Sequence, residues 1–100
     1  MQILKHPNGR IARVYVQDIA EVEESAQAQV LSMLELPHLA GPIAVMPDVH
    51  IGKGACVGTI TVLDGAIAPC VTGVDIGCGI SAINLGITRE QVGNKFNVAR

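Results

Sequence analysis

Between Arg10 and Val16 apolar and polar residues alternate, with Ile11, Val14 and Val16 as the apolar members, which predicts a strand. From about Glu23 to Leu36 the spacing changes to that of a helix face, carried by Ala26, Val30, Met33 and Leu34. Acidic residues sit at its start and Pro37 follows its end. The run IAVMPDVH then predicts a short strand that Pro47 interrupts, since proline has no N–H for an interior ladder; the residues after it are expected to leave the strand. Two β-branched runs, ACVGTITVL and GAIAPCVTGV, flank Asp64-Gly65, a dipeptide suited to a tight turn, and so predict a β-hairpin. ISAINLGI reads as a further strand. Thr88 with Gln91 three residues later has the form of a capping box opening a second helix, which reaches Arg100 without a stop signal.

These elements add up to an α/β (α+β) chain, a mixed β-sheet with a hairpin and two helices, in one domain of 100 residues. Nearly half the residues are apolar but only Tyr15 and Phe96 are aromatic, so the core must be aliphatic. A formal charge of −2 provides no basic field, and binding to nucleic acid by bulk electrostatics is not predicted. MQILKHPNGR lacks an apolar run of signal-peptide length, and no segment nears the roughly 18 apolar residues of a membrane span; a cytoplasmic location without membrane attachment is expected. Cys56, Cys70 and Cys78 form no C-x-x-C pair, which fits reduced thiols.

The candidate chemistry lies in two places. In VTGVDIGCGIS, Asp75 and Cys78 stand among glycines, and a carboxylate and a thiolate can both ligate a divalent cation. In a regular strand they would face opposite ways, so the role requires Gly77 to bend the backbone. The alternative is that Asp75 caps a turn and Cys78 is a small buried hydrophobe. Two ligands do not fill a metal site, and the pair is ambiguous in softness between zinc or iron and manganese or magnesium. In MPDVHIGKG, Asp48 and His50 fall on one side of an extended backbone. His50 could be a metal ligand, a proton-transfer group or a phosphate contact with Asp48 fixing its tautomer, or the two could form a structural hydrogen bond. GKGACVG does not match a phosphate-binding loop, because the required glycine and Ser/Thr are missing, and a hairpin bend is the better assignment. Cys56 and Cys70 are expected in the core, and His6 and His38 in surface loops.

MPDVHIGKGACVGTI, followed by GAIAP and VTGVDIGCGISA, resembles the N-terminal part of the RtcB-type RNA ligases over about residues 42–86. The resemblance implies a GTP- and manganese-dependent ligase that joins an RNA 3′-phosphate or 2′,3′-cyclic phosphate to a 5′-hydroxyl, through a guanylylated histidine, in tRNA splicing and RNA repair. Asp75 and Cys78 match the family's carboxylate and cysteine ligands of a two-manganese site, and Asp48 and His50 match its PDVH segment, assigned to the active-site rim or second shell. GTP as co-substrate, RNA as substrate and an archease-like activator are the implied partners. The nucleophile's motif is not matched by His6, His38 or His50, so residues 1–100 are expected to be a single N-terminal fragment of the ligase domain, cut within a helix and unable to ligate RNA alone. Self-association of such a fragment is expected from uncovered apolar surface. Two other readings stand beside this one: a non-catalytic metal-binding or interaction module derived from the fold, and a thiol-based redox protein using Cys78.

Overall fold

The computed structural model describes residues 1–92. Strand β1 (Gln2–Lys5) pairs antiparallel with β2 (Ile11–Val14), β2 pairs parallel with β3 (Ile43–His50), and β3 pairs antiparallel with β4 (Val57–Ile60). The result is a mixed sheet in the order β1-β2-β3-β4. A parallel pair needs a crossover, and helix α1 (Glu24–Met33) provides it between β2 and β3.

The register decides which side chains meet. Leu4, Ala12 and Ile43 stand across from one another on one face, as do Val14 and Val45. Against them α1 lays Ala26, Val30 and Met33, followed by Leu34, the four residues marked by the helical spacing, and all are buried. Val16, Val22, Val49 and Cys56 complete this two-layer core. On β2 the buried alternation runs Ala12, Val14 and continues past the strand's end to Val16, while Ile11 is only partly buried.

Both approaches to α1 are tied down. Ahead of it, Asp18 and Glu21 form a reciprocal capping box around the 3-10 turn Ile19–Glu21, with the Asp18 carboxylate accepting from Ala20 N at 3.0 Å. At its far end the main-chain carbonyls left over by the helix accept from the β1–β2 turn. Leu34 O takes Asn8 Nδ2 (3.2 Å) and Arg10 Nη1 (3.0 Å), and Leu36 O takes Arg10 Nη1 (2.6 Å). A cation is also the favourable charge at that end of the helix dipole.

Four expectations need correction. The strand does not stop at Pro47: β3 runs on to His50, and the ladder shifts register between Val45 and His50, where the missing N–H is tolerated. The hairpin is not at Asp64-Gly65. It lies between β3 and β4, with Gly52-Lys53-Gly54 in its connection, as the bend assignment of that motif requires, whereas Leu63 forms an isolated bridge with Leu39. GAIAPCVTGV forms no strand but a 3-10 turn, Pro69–Val71, and Cys70 is exposed rather than in the core. ISAINLGI likewise forms no strand, and its side chains are exposed. The second helix, α2 (Arg89–Val92), does open with the expected capping box: Thr88 N donates to Gln91 Oε1 at 2.7 Å and Gln91 N to Thr88 Oγ1 at 3.4 Å. Its expected continuation to Arg100 lies outside the described residues. No helix among the described residues is long and apolar enough to cross a membrane.

Candidate metal-binding site

Asp75 and Cys78 occupy the two ends of one β-turn. Cys78 N donates to Asp75 O at 3.2 Å, and Gly77, in the third position, has φ +83°. That is the backbone sign a type II turn demands of its third residue, and it brings the first and fourth Cα atoms within about 7 Å. A β-carbon on Gly77 would meet nothing within 4 Å, so glycine is needed there for conformation and not for space. Both chemistry-bearing residues are exposed. Among the described residues the Asp75 carboxylate accepts no hydrogen bond, and Cys78 is exposed in this chain rather than buried.

Asp48 and His50 lie on the exposed side of β3, with Val49 buried between them. The hydrogen bond that orients the imidazole comes from the main chain: His50 Nδ1 is 2.8 Å from Asp48 O. A carbonyl only accepts, so Nδ1 is the donor of this contact and Nε2 is the ring nitrogen that faces away from it. The Asp48 carboxylate is instead turned toward Gly58, where a β-carbon would come within 3.1 Å of Oδ1 and 3.2 Å of Val49 Cα; Gly58 has φ +80°. Among the described residues no three or more His, Cys, Asp or Glu side chains gather as metal ligands, so the Asp75–Cys78 turn and the Asp48–His50 pair stay separate.

One residue that spacing alone did not mark is Gln29. Its amide accepts from Gly52 N (3.0 Å) and donates to Gly52 O (2.8 Å), clamping the β3–β4 connection to α1. The same Oε1 accepts from the Cys56 thiol at 3.1 Å, and burial pushes that thiol's pKa up. Gly52 could not be another residue, since a β-carbon would fall 2.0 Å from Ala55 O. An amide on a helix face carries no sequence signal for such a clamp; only the fold puts Gly52 opposite it.

The sequence profile of the family described as tRNA-splicing ligase RtcB matches residues 29–99. The chain belongs to the RtcB family. The RtcB match starts in α1, well before the motifs that first suggested it. The chain is 44% identical over 71 residues to the RNA-splicing ligase RtcB of Escherichia coli strain K12, covering 71% of this chain and 17% of that protein. It is 45% identical over 71 residues to RtcB1 of another Escherichia coli strain, again covering 71% and 17%. With the tRNA-splicing ligase RtcB of Methanococcus maripaludis it shares 30% identity over 88 residues, 83% of this chain and 18% of the relative. It thus spans less than a fifth of the length of these RtcB proteins. No solved structure matches it significantly.

Proposed function

We propose that the chain serves an RtcB-type RNA ligase that joins an RNA 3′-phosphate or 2′,3′-cyclic phosphate to a 5′-hydroxyl with GTP and manganese, and that its own contribution is the Asp75 and Cys78 part of the metal site. The observation that carries this reading is the Asp75–Cys78 turn within the matched region. An exposed carboxylate and an exposed thiol sit at the two ends of a turn whose conformation depends on glycine. An oxygen and a sulfur donor so placed fit a divalent ion as two of its ligands, the remaining ones coming from outside the turn. When bound, the ion supplies positive charge that screens a phosphoryl group. The chain's own part is to hold the two donors apart from apolar contacts and within one turn's span of each other. No residue of this chain is assigned to GTP. Asp48 and His50 are assigned to the rim, with His50 Nε2 as the open position.

Manganese titration of the reduced chain, followed by water-proton relaxation, tests this against Asp75→Ala, Cys78→Ala and Gly77→Ala. Saturable binding is expected in the parent and lost in the first two. Gly77→Ala is expected to weaken it, because an L side chain at positive φ costs about 1 kcal/mol or more. Equal binding by parent and Asp75→Ala would instead leave the chain as an interaction module of the family.

A further inference from the structure

The β1–β2 turn carries Asn8 followed by Gly9, both exposed, with Gly9 at φ +89°. An asparagine before a glycine is open to reaction with its own backbone: the glycine nitrogen attacks the side-chain amide carbon, ammonia leaves, and a cyclic imide closes. Glycine permits this best, since it has no β-carbon to obstruct the approach and the widest choice of backbone angles. A β-carbon built on Gly9 would meet nothing within 4 Å, so neighbouring residues add no obstruction there. What restrains the pair is hydrogen bonding. The attacking Gly9 N donates to His6 O at 2.9 Å, Asn8 Oδ1 accepts from Arg10 N at 2.9 Å, and the departing Asn8 Nδ2 donates to Leu34 O at 3.2 Å. The first two bonds lie within the turn. The third joins it to the end of α1, beside the Arg10 Nη1 contacts to Leu34 O (3.0 Å) and Leu36 O (2.6 Å). While the turn is docked on α1, the Asn8 amide cannot swing toward Gly9 N without breaking the two bonds that hold its plane.

We infer that Asn8-Gly9 is a deamidation site held in check by the docking of the β1–β2 turn on α1. In the first step the bond from Gly9 N to Asn8 Cγ forms and the Cγ–Nδ2 bond breaks, the proton of Gly9 N leaving with Nδ2 as ammonia. Water then opens the imide, its hydroxyl going to carbon and its hydrogen to nitrogen, with no oxidation or reduction. Opening at Cγ gives aspartate, and opening at the main-chain carbon gives isoaspartate. Aspartate has lost the Nδ2 donor and sets a carboxylate oxygen against the Leu34 carbonyl, acceptor facing acceptor, at the negative end of the α1 dipole. Arg10 is the cation beside that new charge, but its Nη1 is already given to Leu34 O and Leu36 O, and the neighbouring His6 is paired with Glu35 at 3.1 Å. Isoaspartate also lacks the donor, and it lengthens the main chain by one carbon in the turn that sets the β1–β2 register. An opening of the turn is thereby recorded as a lasting chemical change that redocks less well than the original. None of this depends on the RNA-ligase reading.

The test incubates the whole chain at mildly alkaline pH, folded and, in parallel, unfolded in guanidinium chloride. Peptide mass mapping follows conversion at Asn8, and enzymatic methylation follows isoaspartate. The unfolded chain is expected to convert, and the folded chain to do so at least about tenfold more slowly, the factor that about one net hydrogen bond supplies. Arg10→Ala, which loosens the docking but keeps the residue-10 N–H, is expected to speed the folded-state reaction about tenfold, while Arg13→Ala leaves it unchanged. Should Arg10→Ala not fold, the parent at rising guanidinium below its midpoint serves instead, its rate expected to climb with the fraction of open turn. Asn8→Asp, the product made directly, is expected to show a lower urea midpoint than the parent. Absence of conversion at Asn8 in the unfolded chain overturns the site. Equal rates in the folded and unfolded parent, or a slow folded-state rate that neither Arg10→Ala nor guanidinium moves, overturn the restraint by docking. An Asn8→Asp midpoint equal to the parent's overturns the lasting effect.

Discussion

Cys56 is the residue whose environment departs furthest from what its neighbours in sequence announce. Its thiol points at α1, donating toward Ala26 O at 3.4 Å and Gln29 Oε1 at 3.1 Å, while its N–H meets Met33 Sδ at 3.4 Å. Burial favours the neutral thiol, so the folded pKa lies above the unfolded one. The proton is therefore held more tightly by the folded state, and stability from this group is full below the ordinary value of 9.0 and falls as pH rises past it. Chemical denaturation of the parent is expected to show a loss of stability above that pH, reduced in Cys56→Ala, which has no proton to lose. An identical pH profile in the two proteins would show that the thiol does not titrate with folding. At this scale the sequence was partly legible. An apolar run around Cys56 announced burial correctly, and the same kind of run around Cys70 did not, because Pro69 turns the chain into a 3-10 turn that leaves Cys70 outside. His50 and Asp48 were expected on one side if the backbone stayed extended, and with β3 running on to His50 both lie on its exposed side. What spacing could not tell is that the Asp48 carbonyl, and not its carboxylate, orients the ring.

For elements, local signals worked where the stabilising partners are close in sequence and failed where they are distant. Helix α1 was readable because its buried stripe repeats within the helix itself, and the start of α2 because Thr88 and Gln91 satisfy each other. The hairpin was misplaced because β-branched runs reveal a preference for extended backbone but not which strand they pair with. Leu63 and ISAINLGI have that preference, yet only Val57–Ile60 finds a ladder on β3. The C-terminal end of α1 is closed by residues from another element altogether. Arg10 gives its guanidinium to Leu34 O and Leu36 O, and Asn8 adds its amide. Arg10→Ala is expected to destabilise the fold by about 1.5–3 kcal/mol, the range for hydrogen bonds that involve a charged group, whereas Arg13→Ala on exposed β2 surface is expected to stay within about 0.5 kcal/mol. Urea midpoints of the two variants would check this, and equal shifts would deny Arg10 its capping role.

Over the whole molecule, burial is uneven. The core is assembled from side chains between Ala12 and Cys56, while every described side chain from Thr72 to Gln91 is exposed, including Ile80 at 95% and Ile83 at 83%. The outer sheet face adds Ile3 and Ile60. Apolar surface of this extent favours association, the expectation for a fragment whose apolar face is left uncovered. Sedimentation is expected to give a mass that rises with concentration, and replacing Ile80, Ile83 and Leu85 by serine is expected to return the chain toward the monomer. A parent that stays monomeric at high concentration would count against association through this segment. The division of labour has a consequence in time. A ribosome makes a chain from its N-terminal side onward, and a protein of this kind folds in units as they emerge. The α1-on-sheet layer has all its buried residues once Cys56 is out, so it can close while the Asp75–Cys78 turn is still in the exit tunnel. The metal donors would then emerge onto a scaffold already set, and a fault in that scaffold would act before any metal could help correct it.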